Sequence, residues 1–520
     1  MQAREREELR AQPPAVVRSQ PFALSRSRAA YGAAATSGVL IAACFLRFEL
    51  LPLAWVAFVP LLWSVRQAVT GSEARRIGFV AGLATNLPAF YWLVYTIHVF
   101  GGFGYPLALF FYACLTLYGA AEFVLFAWAL HRIGPGPLAL AAPVLWVALE
   151  FLYPNLFPWR MANTQFHLPV LMQIGDVTGP FGLSFVMLWT GAALAALIRR
   201  PRGWAALIAA GSATMAVVLY GTLRLPAIDA AMRAAPRVRV ALVQGNVGIK
   251  EKGDIKYFDI NLERYQQLSE DLQDRVDLIV WPETVSQRWV PDGAPKLEGR
   301  DNHFDDLRRH LIFGGLAYRP RKEDDPEEFN SAFLIGPDGR LLDRYDKHIL
   351  MPFGEYLPLA SYFPFIRSLS PETSGFTPGT GVSVFKIPGA ADIGTLICYE
   401  DLLAGMSRGA TRAGAELLLN ILNDAWYGDT AAPYQHQALA LWRAIENRRA
   451  LLRGSNSGVT SIIDAAGRVV AEAGLFTAEV VEGTVPRLQL TTFYTQHGDV
   501  FAWLVVAGAV GLLGRRPHAR

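Results

Sequence analysis

The chain has 520 residues, of which 52% are hydrophobic and only 18% are charged, and its mean hydropathy is +0.24. Globular proteins usually carry about 25% charged residues, so this composition argues against a wholly soluble protein. The net charge is +3 and no long basic tract is interleaved with aromatic residues, so we expect no nucleic-acid partner. The sequence has no metal-ligand spacing and no phosphate- or dinucleotide-binding fingerprint, so we expect no metal and no other cofactor.

The hydrophobic residues cluster in segments that approach the length of a bilayer-spanning helix, roughly 20 residues. About seven segments lie in the N-terminal part of the chain and one closes it: Tyr31–Phe45, Leu50–Ala68, Ile77–Phe100, Tyr105–Leu130, Pro137–Tyr153, Pro180–Ile198, Trp204–Leu223 and Val500–Leu513. The alternative is a large soluble protein with buried helices, but so many apolar runs could not share one soluble core. We therefore predict an N-terminal tail at 1–30, a membrane domain at 31–225 and a final transmembrane helix at 498–514.

Lysine and arginine residues are enriched in the cytoplasmic connectors of membrane proteins. Here they concentrate in the N-terminal tail, in the second, fourth and sixth connectors and at the C-terminus, while the other connectors are nearly bare. This pattern predicts that both termini lie in the cytoplasm. The large domain between the seventh and eighth segments then lies on the opposite side of the membrane.

From about residue 237 to residue 487 the pattern changes to short β-branched runs that alternate with longer helical patterns. The predicted strands are "RVRVALVQGN", "DLIVWPE", "LIFGGLAY", "AFLIGPDGRLLDRYDK", "DIGTLICYE", "AELLLNILND", "GVTSIID" and "AEVVEGTVP", the fourth of which contains a turn and reads as a hairpin. The predicted helices include Asn261–Asp274, Asp401–Gly414 and Tyr434–Ala450. Strands interspersed with helices predict an α/β sandwich, in which helices cover the sheets.

Three residues with reactive side chains stand at the ends of predicted strands. Glu283 ends "DLIVWPE", Lys347 follows the hairpin, and Cys398 ends an apolar strand. Polar residues just past strand ends often line the ligand crevice of an α/β sheet. Together these three groups suit acyl transfer, because a carboxylate can accept the thiol proton, an ammonium can stabilise an oxyanion, and a thiolate can attack a carbonyl.

Each of these residues also has a purely structural interpretation. Cys398 could be buried filler, because free cysteine often behaves as a small hydrophobic residue. Glu283 could cap a following helix, and Lys347 could be a solvated charge. His348 or His436 could instead pair with Cys398, as in a Cys/His arrangement, and sequence spacing leaves that alternative open.

The three motifs together resemble the nitrilase, or carbon-nitrogen hydrolase, superfamily. "WPET" is similar to its glutamate motif, "YDKHILMPFGEY" to its lysine region and "LICYED" to its cysteine elbow. The start of the domain, "ALVQGN", the stretch "MPFGEYLP", and the seven apolar segments before the domain with one after it resemble the apolipoprotein N-acyltransferase family within that superfamily.

The resemblance implies an αββα sandwich in which Glu283 is the base, Lys347 the oxyanion-stabilising cation and Cys398 the nucleophile. It also implies supporting positions near the site, at Glu355, Tyr399 and Glu400. The implied reaction moves an acyl chain from a membrane phospholipid, through a cysteine thioester, to the α-amino group of a lipoprotein's diacylglyceryl-cysteine. The implied location is the bacterial inner membrane, with the catalytic domain on the periplasmic side. Nothing in the sequence requires more than a monomer.

Several residues are candidates for substrate contact. The apolar, aromatic loop Tyr356–Pro371 could be a lid or a lipid-facing arm, or it could pack on its own domain. Trp426 and Tyr427 could line an acyl pocket or belong to the core. The family often has a tryptophan shortly after "VQGN", and here Lys256, Tyr257 or Phe258 are the candidates for its place, so the substrate contact at that position stays open.

Two other functions fit parts of the sequence. A membrane-tethered amidase would use the same three residues with water as acceptor and would act on small soluble amides. A non-catalytic membrane scaffold would only bind a partner through its sandwich. The three reactive residue types at strand ends argue against the scaffold, and the many apolar segments argue against the amidase.

Overall fold

The computed structural model describes residues 21–46, 50–134, 138–198, 204–252, 254–296, 308–321, 325–358, 362–363 and 375–515, apart from the side chains of residues 21–27 and 249–250. The described N-terminal part is helical. Its helices are α1 (Pro21–Leu46), α2 (Val59–Val65), α3 (Gly71–Ala89), α4 (Leu93–Val99), α5 (Tyr105–Ile133), α6 (Leu138–Leu152), α7 (Pro169–Met172), α8 (Gly175–Thr178), α9 (Phe181–Leu197) and α10 (Trp204–Ala234). Each apolar segment of the sequence is thus mainly helical.

Helix length and composition support fewer membrane spans among the described residues than the sequence predicts. Among the described residues, three helices are long and apolar enough to cross a membrane, or up to five if each bent pair is one span. The bent pairs are α3 with α4, at 56°, and 169–178 with α9, at 119°. The apolar helices 51–65, 138–152 and 500–514 are shorter than the roughly 20 residues that a bilayer core needs. Seven spans before the large domain and one after it therefore stay a prediction.

Helix α10 connects the membrane domain to the large domain. It has 31 residues, and at about 1.5 Å per residue it is roughly 46 Å long. The sequence predicted an apolar segment that ends at Leu223, but the helix continues to Ala234. The extension is stable because Ile228 and Met232 pack against a buried cluster of the large domain.

The large domain contains two sheets. The first has the order β13-β1-β2-β4-β5-β6, with β3 also paired to β4, and the second has the order β12-β11-β10-β9-β8-β7. The strands are β1 (Arg237–Gln244), β2 (Leu278–Val280), β3 (Ser286–Pro291), β4 (His310–Arg319), β5 (Glu327–Ile335), β6 (Leu341–Asp346), β7 (Ser383–Lys386), β8 (Asp392–Ile397), β9 (Leu417–Leu422), β10 (Ala450–Ser455), β11 (Ser461–Ile463), β12 (Val469–Glu472) and β13 (Glu479–Pro486). Parallel pairing joins β1, β2 and β4 in one sheet and β8, β9 and β10 in the other.

The two sheets pack face to face and are covered by helices. Apolar residues of β1, β2, β8 and β9 form a shared core between the sheets. The helices of this domain and its C-terminal extension are α11 (Ile249–Lys252), α12 (Phe258–Gln267), α13 (Ala404–Arg412), α14 (Ala432–Ala440), α15 (Trp442–Asn447), α16 (Phe493–His497) and α17 (Val500–Gly514). Helix α12 covers the first sheet. Helices α13 to α15 cover the second sheet and join the buried core of the membrane helices. The predicted αββα sandwich is therefore confirmed.

A buried ion pair fastens the sandwich to the membrane domain. Arg448 Nη2 lies 2.7 Å from Asp176 Oδ2 on α8, and Arg224 Nε on α10 lies 2.8 Å from the same oxygen. Arg448 has a left-handed backbone, with φ of 51°, which ends the preceding helix. The predicted helix 434–450 was therefore wrong in its last residues, since Ala450 already begins β10.

The sequence did not predict four of the strands, β3, β7, β10 and β12. Strand β10 contains Arg453, which is fully buried against Asp401, so its sequence lacks the apolar pattern of a buried strand. The other three lie at or beyond the edge of a sheet, where burial is partial and the alternation is weak.

Candidate active site

Glu283 lies in a tight turn between β2 and β3. The next residue, Thr284, has a left-handed backbone with φ of 54°, and no helix follows, so the helix-cap interpretation is wrong. The turn lies against β4 so closely that a Cβ on Gly314 would be 2.5 Å from Glu283 Cα. Only glycine permits this approach, which holds the Glu283 carboxylate at the end of the sheet.

Lys347 follows β6 and is only 1% exposed, so it is not a solvated charge. Its Nζ lies 2.7 Å from Glu355 Oε2 and 3.7 Å from Glu283 Oε1. Burial opposes a charge on Lys347, but Glu355, Cys398 and Glu283 outweigh that effect and raise its pKa. Lys347 therefore stays an ammonium and lies between two carboxylates.

Asn330, on β5, links the same two carboxylates and was not recognised in the sequence. Its Nδ2 donates to Glu283 Oε1 and to Glu355 Oε1, each at 2.8 Å. Its backbone carbonyl accepts the N–H of Lys347 at 2.9 Å. One amide thus sets the spacing of three charged groups. A lone asparagine in a strand that continues with apolar residues was the only sequence signal for it.

Cys398 directly follows β8 and begins a 3₁₀ turn with a left-handed backbone, at φ of 53°. Its carbonyl accepts a hydrogen bond from Asn420 Nδ2 at 2.9 Å, which stabilises this conformation. The residue is 8% exposed. Burial raises the pKa of its thiol well above the usual value; Glu283, Glu355 and Asp424 add to the effect, and Lys347 lowers it. The thiol therefore rests protonated and needs a base to become a nucleophile.

Glu400 ties the segment after Lys347 to the turn at Cys398. Its carboxylate accepts the N–H groups of Ile397, His348 and Ile349 at 2.8 to 2.9 Å, and the hydroxyl of Tyr345. Burial raises its pKa, and these donors partly offset that shift. All its described contacts are within the scaffold, so it supports the site. Tyr399 is buried in an apolar cluster beside Cys398.

The Cys/His alternative does not fit the contacts of His436, whose two ring nitrogens both have carboxylate partners. His436 Nε2 lies 2.9 Å from Asp401 and its Nδ1 lies 2.9 Å from Asp424. Because carboxylates only accept hydrogen bonds, both ring nitrogens must carry protons. Burial disfavours this charge, but Asp401 and Asp424 raise the pKa of His436 to about 9. The Nδ1 atom of His348 meets the carbonyl of Gly379 at 2.7 Å.

Lys252 is a second buried lysine near Cys398 that sequence reasoning missed. It ends α11 and is 8% exposed, and its Nζ donates to the backbone carbonyl of Glu283 at 2.7 Å. Burial lowers its pKa to about 8, against opposing effects from Glu283 and Cys398. The only signal in the sequence was its place six residues after the asparagine of "VQGN".

An apolar cavity of about 470 Å³ lies between the membrane domain and the sandwich. Trp92, Phe100 and Cys114 line it from the membrane side, and Met351, Gly354 and Tyr427 are among the residues that line it from the catalytic side. Its wall reaches the charged groups, because Gly354 precedes Glu355 and the N–H of Met351 donates to Glu355 Oε2 at 2.8 Å. The cavity has the size of a ligand pocket.

The predicted substrate-contact residues have different positions. Tyr427 lines the cavity with its ring edge-on to Trp92, and the ring of Trp426 lies 4.3 Å from that of Phe100. Tyr356 is 40% exposed, but most of the predicted lid 356–371 lies outside the described residues.

Among the candidates for the family tryptophan, Lys256 pairs with Asp254 at 2.7 Å and lies over the ring of Tyr257. Phe258 begins α12 and is half-buried.

Comparison with known proteins agrees with this architecture. Residues 37–193 match a model described as the apolipoprotein N-acyltransferase N-terminal domain, and residues 239–493 match the carbon-nitrogen hydrolase model. An apolipoprotein N-acyltransferase of Geobacter metallireducens is 36% identical, over 92% of this chain and 94% of its own length. The chain belongs to the apolipoprotein N-acyltransferase family.

A second relative has lower sequence identity but matches a similar share of the chain. The apolipoprotein N-acyltransferase of Chlorobaculum tepidum is 29% identical over 92% of this chain and 95% of its own length. Among solved structures, Saccharomyces cerevisiae Nit3, a member of branch 10 of the nitrilase superfamily, matches 48% of this chain with 19% identity and a TM-score of 0.36.

Family membership confirms several predictions. The chain is a membrane protein and an acyltransferase of the nitrilase superfamily. Both of its domains fit that function rather than the alternative of a tethered amidase.

Proposed function

We propose that the protein transfers an acyl chain from a membrane phospholipid, through a thioester on Cys398, to the α-amino group of a lipoprotein's diacylglyceryl-cysteine. The observation that carries this proposal is the buried cluster in which Lys347 pairs with Glu283 and Glu355 beside Cys398. Membership of the apolipoprotein N-acyltransferase family supports the lipoprotein acceptor.

In the first half-reaction Glu283 takes the proton of the Cys398 thiol. The thiolate attacks the ester carbonyl of the phospholipid, and Lys347 stabilises the oxyanion of the tetrahedral intermediate. When the intermediate collapses, the C–O bond breaks and Glu283 returns the proton to the departing alcohol. The products are a thioester on Cys398 and a lysophospholipid.

In the second half-reaction the neutral amine of the lipoprotein attacks the thioester carbonyl. The C–S bond breaks, the amide forms, and the proton that leaves the nitrogen passes through Glu283 to the sulfur. Cys398 is restored as a thiol. Glu355 and Asn330 hold Lys347 and Glu283 in place through both steps.

The apolar cavity supports a phospholipid as donor. It is lined from the membrane side and from the catalytic side, and its wall adjoins Glu355. An acyl chain in this cavity would bring its ester carbonyl towards Glu355, whose carboxylate pairs with Lys347. Tyr427 and Trp426 then contact the chain or support the residues that do.

We further propose that the catalytic domain faces the periplasm, that both termini lie in the cytoplasm and that the protein acts as a monomer. The arginines of the even-numbered connectors support this orientation. Fusion of alkaline phosphatase after residue 498 should give an active reporter, and fusion after residue 514 an inactive one. The reverse result would refute the orientation.

The chemistry is tested with purified protein and a phospholipid that carries a labelled acyl chain. The wild type should retain the label in a form that hydroxylamine releases, and Cys398→Ala should retain none. Addition of a diacylglyceryl-cysteine peptide should move the label to the peptide amine, which mass spectrometry detects. Full transfer by Cys398→Ala would refute the proposed function.

A further inference from the structure

Lys252 is a buried amine without an ionic partner beside the reactive groups. Its Nζ donates to the carbonyl of Glu283 at 2.7 Å, and no carboxylate forms an ion pair with it in the part of the chain that the structure describes. The titratable groups that face it are the carboxylate of Glu283, on the turn after β2, and Cys398, at the end of β8. This environment differs from that of Lys347, which is held between two carboxylates.

Burial of an amine without an ion pair favours its neutral form. The neutral amine still has N–H groups, so it can keep its hydrogen bond to Glu283, and its lone pair is then free to accept a proton. Lys347 cannot act in this way, because its carboxylate partners keep it charged.

The proposed reaction leaves one proton without an acceptor. In the first half-reaction Glu283 takes one proton and returns it, so it begins the second half-reaction as a carboxylate. In the second it carries the proton that the attacking nitrogen loses to the sulfur of Cys398. The acceptor, however, arrives mostly as an ammonium ion, because an α-amino group has a pKa of about 7.7–8.0. Its extra proton must leave before the nitrogen has a lone pair with which to attack.

We propose that Lys252 is the base that removes this extra proton and so prepares the lipoprotein amine for attack on the thioester. The amine of Lys252 takes one proton from the ammonium of the acceptor, which becomes a neutral amine, and Lys252 then releases that proton to water. The inference rests on the proposed function. The pKa of Lys252, lowered to about 8, suits a base that must accept and release a proton near neutral pH.

The test measures the two half-reactions separately in single turnovers, with Lys252→Met, Lys252→Arg and the wild type. Lys252→Arg keeps a hydrogen-bond donor but is permanently charged, so it cannot act as a base. Lys386→Met, which changes an exposed lysine on β7, is the matched control. The readouts are thioester formation from labelled phospholipid and, after loading, transfer of the label to a diacylglyceryl-cysteine peptide as a function of pH.

Lys252→Arg, which keeps a donor for the Glu283 carbonyl, should form the thioester at nearly the wild-type rate, which also shows that it is folded. Lys252→Met loses that donor and should slow this step by about tenfold at most. At neutral pH the transfer step of both variants should be slower by about 10²-fold. The deficit should shrink above about pH 9, where the acceptor loses its proton without help. Lys386→Met should behave as the wild type in both steps.

Three results would overturn the inference. These are full activity of Lys252→Arg, an equal loss in both half-reactions, or a transfer deficit that does not change with pH. Each would mean that Lys252 contributes only a charge or a hydrogen bond and does not act as a base. If the wild type forms no thioester, the proposed function is wrong and the inference about Lys252 fails with it. This outcome is distinguishable from the three above, because it is seen without any change at Lys252.

Discussion

The ammonium of Lys347 lies 1.0 Å closer to Glu355 than to Glu283, at 2.7 Å against 3.7 Å. Glu355 is therefore the main counter-charge of this buried lysine, and Glu283 is left freer to accept a proton from Cys398. The predicted supporting residue Glu355 is thus as central to the electrostatics of the cluster as the three residues of the proposed mechanism.

Replacement of Glu355 with glutamine should impair the enzyme strongly. Lys347 would lose its nearer partner and pair with Glu283, which would become a weaker base. We expect thioester formation to fall by about 10²-fold or more and the free energy of unfolding to fall by about 3–5 kcal/mol. Glu270→Gln, at an exposed position, is the control for both measurements. Wild-type rates in Glu355→Gln would contradict this role.

Asn330 can be tested by its effect on the pH dependence. Asn330→Asp places a third carboxyl group between Glu283 and Glu355, and like charges in close contact raise carboxyl pKa values. The acidic limb of the rate profile should therefore move to higher pH. Asn330→Ala should lower the rate about tenfold with a smaller displacement, because the carboxylates lose a hydrogen-bond donor but no charge is added. Identical profiles for the two variants would rule out this explanation.

His436 should make the stability of the protein depend on alkaline pH. Its pKa is about 9 in the folded protein and about 6.5 in the unfolded chain, since Asp401 and Asp424 hold its proton. The stabilisation is fully present below pH 6.5 and is lost as the pH rises through about 9. Arg453 also pairs with Asp401, at 3.1 Å. Between pH 6 and 10, the melting temperature of the wild type should fall more steeply with rising pH than that of His436→Gln. Equal slopes would contradict a protonated His436 in the folded protein.

The apolar cavity should select the acyl chain by its length. Cys114 lines the cavity from α5, so Cys114→Trp would fill part of it. We expect the variant to prefer shorter acyl chains than the wild type in a competition between labelled phospholipids, with its thioester still on Cys398. Cys114→Ser is the matched control and should keep the wild-type preference. An unchanged preference in Cys114→Trp would mean that the acyl chain binds outside this cavity.

The buried ion pair between the two domains depends on Asp176. In Asp176→Asn, the fully buried Arg448 would lose its counter-charge, at a cost of about 3–5 kcal/mol. The melting temperature in detergent should fall by several degrees. Asp259→Asn, which breaks an exposed pair with Arg288, should change it by little. A larger effect at Asp259 would contradict the importance of the buried ion pair.

The sequence alone determined the features that depend on local pattern. Apolar runs become helices and alternating runs become strands, because each pattern suits burial in one environment. Glu283, Lys347 and Cys398 could be chosen from the sequence as candidate catalytic residues, since each stands at a predicted strand end inside a family motif. The strands at the edges and β10, with its buried arginine, were missed because partial burial and ion pairing hide the apolar pattern.

Only the tertiary structure decided which distant groups meet. Asn330 joins two carboxylates, His436 lies between two aspartates, and Lys252 reaches the turn of Glu283 across a sequence separation of 31 residues. None of these contacts follows from local pattern, because ion pairs and hydrogen bonds between buried groups depend on how the sheets pack. The same packing sets which charges are compensated, so it also sets which buried groups hold a proton and which can exchange one.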